Sequence, residues 1–243
     1  MSALNAPGDR TVQDMFDRIA SRYDLLNRII SFRLDVRWRR QTIRAVMTGA
    51  NSLILDIGTG TGDLAFDTAK ETGGTARIIG LDFSLQMLKL ARLKRVTLTH
   101  SLSTEFVMGS AMASPFRQAV FDGAMTAFVL RNVSDLSLFF VEAFRVLKPG
   151  AKLVSLDMFP PSKGWFATLY AIYFHHLMPR IGALLSRDHS AYRYLSESVR
   201  RFHTPESLGK LIEGAGFANV TIRKFMNGAV CMHVAEKPRS SLG

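Results

Sequence analysis

The chain has 243 residues, 47% of them hydrophobic, which is enough to bury a full core and sits at the upper end of single-domain size. Its one cysteine, Cys231, forbids an internal disulfide and a thiolate metal cluster, points to a reducing cytoplasm, and reads as a small buried strand residue. A net charge of +11 directs attention to anionic partners, nucleic acid or acidic lipid headgroups. Export and membrane spanning are not expected, because Asp9, Arg10 and Asp14 stand where a signal peptide needs an apolar core and no run reaches ~18 uncharged apolar residues.

After a small-residue tail over 1–9, Thr11 reads as a helix cap with Asp14 at the third helical position, and Met15, Phe16 and Ile19 point one way. Tyr23, Asp24 and Asn27 fall within about one turn and make a polar face over the site that follows. From Asp9 to Arg44 nine arginines stand against five aspartates, at helical spacing beside apolar residues. No recognisable RNA-binding motif accompanies them, so nucleic acid is not expected. Two readings stay open, a solvated helix face and peripheral attachment to an anionic membrane surface. A second helix runs from about Asp35, carries Trp38 and Ile43, and ends near Gly49.

Residues 52–57 read as a buried strand that carries Asp56 and passes into Gly58, Gly60 and Gly62, and from Asp63 onward the spacing is helical. The glycines let the backbone take positive φ and let a ligand approach where a Cβ would block it, and the helix start aims N–H groups at that ligand. Asp56 would repel a pyrophosphate and welcome a cation. About twenty residues on, a second strand over 76–82 ends in Asp82, placed to accept hydrogen bonds from ribose hydroxyls, with Phe83 beside it. Glycines, neighbouring acid and ribose acid together resemble the S-adenosylmethionine site of Rossmann-like methyltransferases.

Ser84 caps the next helix, a third strand spans 104–108, and Ala113 to Phe116 make a turn. The fourth strand, 121–128, leads into Val129-Leu-Arg-Asn-Val133, which puts Arg131 and Asn132 at a carboxyl end, where open α/β sheets gather ligand and chemistry. A helix over 135–147 stops at Lys148-Pro-Gly150, and a fifth strand follows over 151–157. Residues 158–203 read as a helical lid whose aromatic run from Trp165 to Met178 suits an isoprenoid tail. The adjacent His175 and His176 point to different helix faces, and no metal is expected. Thr204-Pro205 starts a helix, and two closing strands meet at Asn227-Gly228.

Asp14-Met-Phe-Asp-Arg-Ile-Ala20, Tyr23 to Ser31, Leu55 to Asp63, Gly80-Leu-Asp-Phe-Ser84, Leu130-Arg-Asn-Val133, Arg145 to Gly150 and Ala191-Tyr-Arg-Tyr-Leu195 resemble the ubiquinone/menaquinone C-methyltransferase family, from about residue 11 to 238. The resemblance implies one domain with a seven-stranded, mostly parallel Rossmann-like sheet and helices on both faces. Its parts are an N-terminal helical cap over 1–50, a cofactor core over 51–157, the helical lid, and a closing helix and strand pair over 204–238. It also implies S-adenosyl-L-methionine as methyl donor, a prenylated quinol as acceptor, a cytoplasmic enzyme able to sit peripherally at the inner face of the membrane, and room for a homo-oligomer.

Carried over by position, Thr61 and Asp82 bind the cofactor, and Ser110 and Ala111 fill the pair that meets the adenine; Asp56, Gly58, Gly60 and Phe83 join them. Arg131, Asn132 and Tyr23 form the catalytic set, with Arg131 holding a developing oxyanion or orienting a water, and Asp63 reads as a helix cap. The family commonly has Asn or Asp at 110, Gly at 33 and 129, Glu-Phe-Ser at 157–159, and two glycines within 227–229. These departures keep two alternatives open, a methyltransferase for another small aromatic or lipid hydroxyl substrate and a non-catalytic cofactor-binding subunit of a lipid-biosynthetic assembly.

Overall fold

The computed structural model describes residues 12, 14–18, 20, 24, 28, 31–47, 49, 51–161 and 189–239. Tyr23, Asn27, the Thr11 cap and the lid residues from 162 to 188, with His175 and His176, lie outside them. Among the described residues no helix is long and apolar enough to cross a membrane.

The strands are β1 (Leu53–Ile57), β2 (Arg77–Asp82), β3 (Thr104–Met108), β4 (Phe121–Ala127), β5 (Leu147–Met158), β6 (Ala218–Phe225) and β7 (Val230–Glu236). They form one seven-stranded sheet in the order β3-β2-β1-β4-β5-β7-β6, parallel throughout except that β7 runs antiparallel to both its neighbours. The sheet is the one expected, including the reversed last strand. The chain order turns back between β1 and β4, so a crevice opens at their carboxyl ends, the position where such sheets bind ligands.

Helices α1 (Leu34–Val46), α2 (Asp63–Glu71) and α3 (Leu85–Arg95) cover one face with Trp38, Ile43, Phe66 and Leu88. Helices α4 (Leu136–Val146) and α6 (Pro205–Gly214) cover the other with Phe139, Phe140, Leu208 and Ile212, and α5 (His189–Arg201) lies between them in the chain. Two of the expected hydroxyl caps are present, at Ser84 and Thr204. Ser84 Oγ accepts the Met87 N–H at 3.1 Å and Thr204 Oγ1 accepts the Ser207 N–H at 3.1 Å.

Two expectations are corrected. Asp63 does not cap α2: Gly62, at φ 86°, occupies that position, and the Asp63 carboxylate turns to Lys94 Nζ at 2.8 Å. The fifth strand begins at Leu147 rather than Ala151. Leu147, which ends α4, is already extended and pairs with Phe121, while the Gly150 N–H reaches the Lys237 carbonyl at 2.7 Å. The Lys-Pro-Gly stop is therefore stitched into the sheet.

Candidate active site

The first strand delivers the chain into a turn that its own glycines make possible. Gly58 and Gly60 have φ of 72° and 55°, and a Cβ on Gly58 would stand 2.5 Å from Val129 Cγ2. The N–H groups of Gly58 and Thr59 both bond to the Leu81 carbonyl, at 2.8 and 3.0 Å, which ties the turn to the end of β2. There Asp82 accepts the Gly60 N–H at 2.7 Å on one oxygen and the Ser84 N–H at 2.9 Å on the other. Burial raises the Asp82 carboxyl, and those backbone bonds oppose the rise.

The turn separates two cavities. The larger, of about 280 Å³, is bordered by Gly58, Gly60, Asp82, Phe83, Ser110 and Ala111, with Met87 and Met112 beside them and Phe128, Val129 and Asn132 at the β4 end. The smaller, of about 50 Å³, has Asp24, Arg39, Asp56, Thr61 and Asp63 in its wall. Asp56 is buried, takes the Thr59 hydroxyl at 2.7 Å, and is pushed up to about 7, mainly by burial and further by Asp82. A larger, mostly apolar chamber bordered by Asp82 and a smaller, more polar one bordered by Asp56 have the character that an adenosyl group and a charged amino-acid tail need.

The N-terminal segment closes over this region. Val12 and Phe16 border the larger cavity, Asp17 accepts the Ser84 hydroxyl, and Asp24 takes the Thr61 hydroxyl at 2.5 Å and pairs with Lys94. Lys94 also donates to Thr61 Oγ1 at 2.9 Å. Sequence reasoning put Asp24 on a polar face over the site, but gave Lys94 no part. Spacing gives no cue for it, because it lies on the far side of two helices in the chain. Thr61 thus meets the N-terminal segment directly and borders the smaller cavity.

At the carboxyl end of β4, Phe128 takes a left-handed φ of 62°, rare for an aromatic residue, and turns its carbonyl back over the short helical turn Leu130–Asn132. That carbonyl accepts from Arg131 Nη1 at 2.9 Å and from Asn132 Nδ2 at 3.3 Å. Arg131 Nη1 also meets Asp157 Oδ1 at 2.7 Å, in a pair whose side chains are 7% and 1% exposed. The Tyr194 hydroxyl donates to Asn132 Oδ1 at 3.1 Å, and burial raises its pKa. The structure thus joins Arg131 and Asn132 through one carbonyl. It adds two partners the sequence did not single out, Tyr194, within the Tyr-x-Tyr-Leu block, and Asp157, whose departure from the common residue was the only cue.

A profile of the ubiE/COQ5 methyltransferase family matches residues 4–237. The chain belongs to this family. A demethylmenaquinone methyltransferase of Thermus thermophilus is 42% identical over 224 residues, spanning 92% of this chain and 100% of its own length. The ubiquinone/menaquinone biosynthesis C-methyltransferase UbiE of Geotalea daltonii is 37% identical, spanning 98% of this chain and 100% of its own. Among solved structures, the cyclase SpnF superposes with a TM-score of 0.70 at 16% identity, over 97% of this chain and 98% of that one. Phosphoethanolamine N-methyltransferase 2 of Haemonchus contortus, in complex with S-adenosyl-L-methionine, superposes at 0.60 and 16% identity, over 84% of this chain and 53% of that one. A cyclase on the same frame shows that the fold alone does not set the reaction. As a ubiE/COQ5 family member the chain is a methyltransferase that uses S-adenosylmethionine.

Proposed function

We propose that this methyltransferase places a methyl group on a ring carbon of a prenylated hydroquinone, demethylmenaquinol or the equivalent ubiquinone precursor. The observation that carries the reading is the strand-end array of Arg131, Asn132 and Tyr194 beside the cofactor chamber, in a chain whose full-length relatives bear the names of demethylmenaquinone methyltransferases. The cofactor, when bound, supplies an electrophilic methyl group. A ring carbon next to a hydroxyl becomes nucleophilic as that hydroxyl gives its proton to a water. Once the carbon has taken the transferred methyl its own proton leaves to water, which restores the aromatic ring. Arg131, too basic to take the proton itself, stabilises the phenolate-like oxygen with a guanidinium already fixed by Asp157 and the Phe128 carbonyl. The second amide hydrogen of Asn132 orients the other ring oxygen while Tyr194 holds its carbonyl side. Gly58, Gly60, Asp82, Phe83, Ser110 and Ala111 bind the adenosyl half, and Asp56 and Thr61 serve the methionyl half. Tyr23 belongs to the same reading as a cover over the acceptor.

The test is methyl transfer from labelled cofactor to reduced demethylmenaquinone and to short-tailed benzoquinol analogues in detergent. Turnover on one ring is expected, with a loss of at least ~100-fold in Arg131→Ala while cofactor affinity stays within about twofold. Tight cofactor binding with neither quinol methylated would overturn the reading in favour of another small aromatic or lipid acceptor.

A prenylated acceptor resides in a bilayer, so the same reading includes peripheral docking at an anionic membrane face. Arg33, Arg37, Arg40 and Arg44 follow one another at helical spacing along α1, all exposed, and Phe32 beside them is 69% exposed. Sedimentation with phosphatidylglycerol vesicles, absent with phosphatidylcholine and weakened by salt, is the expected result; equal sedimentation with both would overturn it.

A further inference from the structure

Beneath the Arg131–Asp157 pair lies a row of polar side chains sunk in the face of the sheet that α4 and α6 cover. Thr126 of β4 pairs in register with Ser155 of β5, and Ser155 with His233 of β7. Asp157 stands two residues further along β5, on the same face, opposite Cys231. The exposures are 0% for Thr126 and 1% for Ser155, Asp157 and His233. Four polar atoms of this row, Thr126 Oγ1, Ser155 Oγ, Asp157 Oδ2 and His233 Nδ1, have no hydrogen-bond partner among the described residues. Buried polar groups are rarely left so, because each then forfeits the bonds it made to water in the unfolded chain.

The hydrogen-bonding capacities of the four are complementary. His233 Nε2 lies 2.8 Å from the Pro205 carbonyl, which can only accept, so Nε2 carries the proton and Nδ1 is a bare acceptor. Asp157 Oδ2 is a second acceptor, since its other oxygen takes Arg131 and the Met158 N–H. The hydroxyls of Thr126 and Ser155 supply two donors. A water molecule offers two hydrogens and two lone pairs, which match two acceptors and two donors. Paired residues of neighbouring strands stand about 5 Å apart, a gap that one water spans with two bonds. Among the neighbours on this face Ala124, Cys231 and Ala235 are small, while the Phe159 ring packs on His233 with centroids 5.6 Å apart.

We propose that Thr126, Ser155, Asp157 and His233 form an internal water site, of one molecule or two in contact, that holds the second oxygen of Asp157 and so fixes the orientation in which Arg131 faces the acceptor. These four act as positioning residues for Arg131, and their effect on turnover rests on the quinol-methylation reading; the site itself does not. Arg131 Nη1 meets both the Phe128 carbonyl and Asp157 Oδ1. Any rotation of the Asp157 carboxylate would therefore swing the guanidinium.

The test has two arms on the full chain. A crystal structure with bound cofactor product, at a resolution that orders solvent, is expected to show a solvent peak within hydrogen-bonding distance of at least three of the four atoms. A dry row, or direct bonding between Ser155 and His233, overturns the site whether or not any quinol is methylated. In the kinetic arm, Thr126→Val is expected to lower kcat about three- to tenfold with cofactor KM held within about twofold, and Thr126→Ser to restore it. An unchanged kcat in Thr126→Val beside a clear solvent peak overturns the positioning role.

Discussion

Asp56 offers the most direct way to test the electrostatics of the cofactor end. Burial moves its carboxyl from the ordinary 3.8 to about 7, against the pull of the Thr59 hydroxyl. A change of that size corresponds to ~4 kcal/mol at about 1.4 kcal/mol for each pH unit. The folded chain therefore keeps a proton that the unfolded chain gives up above pH ~4. Stability is full below that point, falls as pH rises toward about 7, and above it carries the whole cost of an ionised buried acid. Asp56→Asn retains an oxygen for Thr59 Oγ1 to donate to and has no charge to bury. Urea unfolding of both proteins at a series of pH values should give a gap in favour of the variant that widens by up to ~3 kcal/mol between pH ~4.5 and pH ~8.5. Even half of that, ~1.4 kcal/mol, is a tenfold change in the unfolding constant. Parallel curves for the two proteins across this range would refute the reasoning. Because a bound cation favours the ionised acid, cofactor binding near pH 6 should also release protons, read as a dependence of the calorimetric enthalpy on buffer ionisation.

Gly58→Ala should cost ~1–3 kcal/mol and at least ~10-fold in cofactor affinity, since its Cβ would meet Val129 at 2.5 Å at a left-handed φ of 72°. Val129→Gly in the same chain should recover the steric part and leave the conformational part, as denaturation midpoints would show. Arg33→Gly should leave stability unchanged or raise it by up to ~1 kcal/mol, because Arg33 has φ 61° and no side-chain cap bond. Phe139→Ala, at a fully buried ring packed edge-on to Phe140, should cost ~3–5 kcal/mol in equilibrium unfolding. Cys231, buried and pushed up to about 12 by that burial, should resist alkylation at pH 8 in the folded chain and react once it is unfolded.

What was legible in the sequence was local. The strand, glycine turn and helix around Asp56 could be read because hydrophobic run length and glycine spacing are themselves the physical causes of that geometry. The departures could be read for the same reason. Arg33 and Asn227 stand where glycine is common, and both prove to sit at left-handed backbone, φ 61° and 52°. Asn tolerates that region and Arg does not, so the first departure is a strain and the second is not. The unread features depend on side chains brought together from distant segments. Lys94 reaches Asp24 and Asp63, and Tyr194 reaches Asn132, across separations of 31 to 70 residues that no periodicity encodes. Nor does sequence show that Phe128 is left-handed, because that conformation is imposed by the bonds its carbonyl accepts. The start of β5 was placed too late because Lys-Pro-Gly signals a stop for the helix and says nothing about how soon a strand begins.

Arg131 is a partner in a buried strand-end ion pair with Asp157 and, in the proposed mechanism, the holder of a developing oxyanion, and the two are compatible. An arginine that is to stabilise charge as it develops must be desolvated and held before the reaction, or the energy gained is lost again in reorganising solvent and side chain. Desolvation of a guanidinium needs a buried counter-charge. Asp157, 1% exposed at the end of the neighbouring strand, is that counter-charge, and the Phe128 carbonyl is the second anchor. The ion pair is thus a condition of the proposed catalytic role. It also explains why an acid one methylene shorter than the family's common glutamate can serve: the left-handed turn at Phe128 carries Arg131 back over the end of β5, close enough for an aspartate to meet it at 2.7 Å.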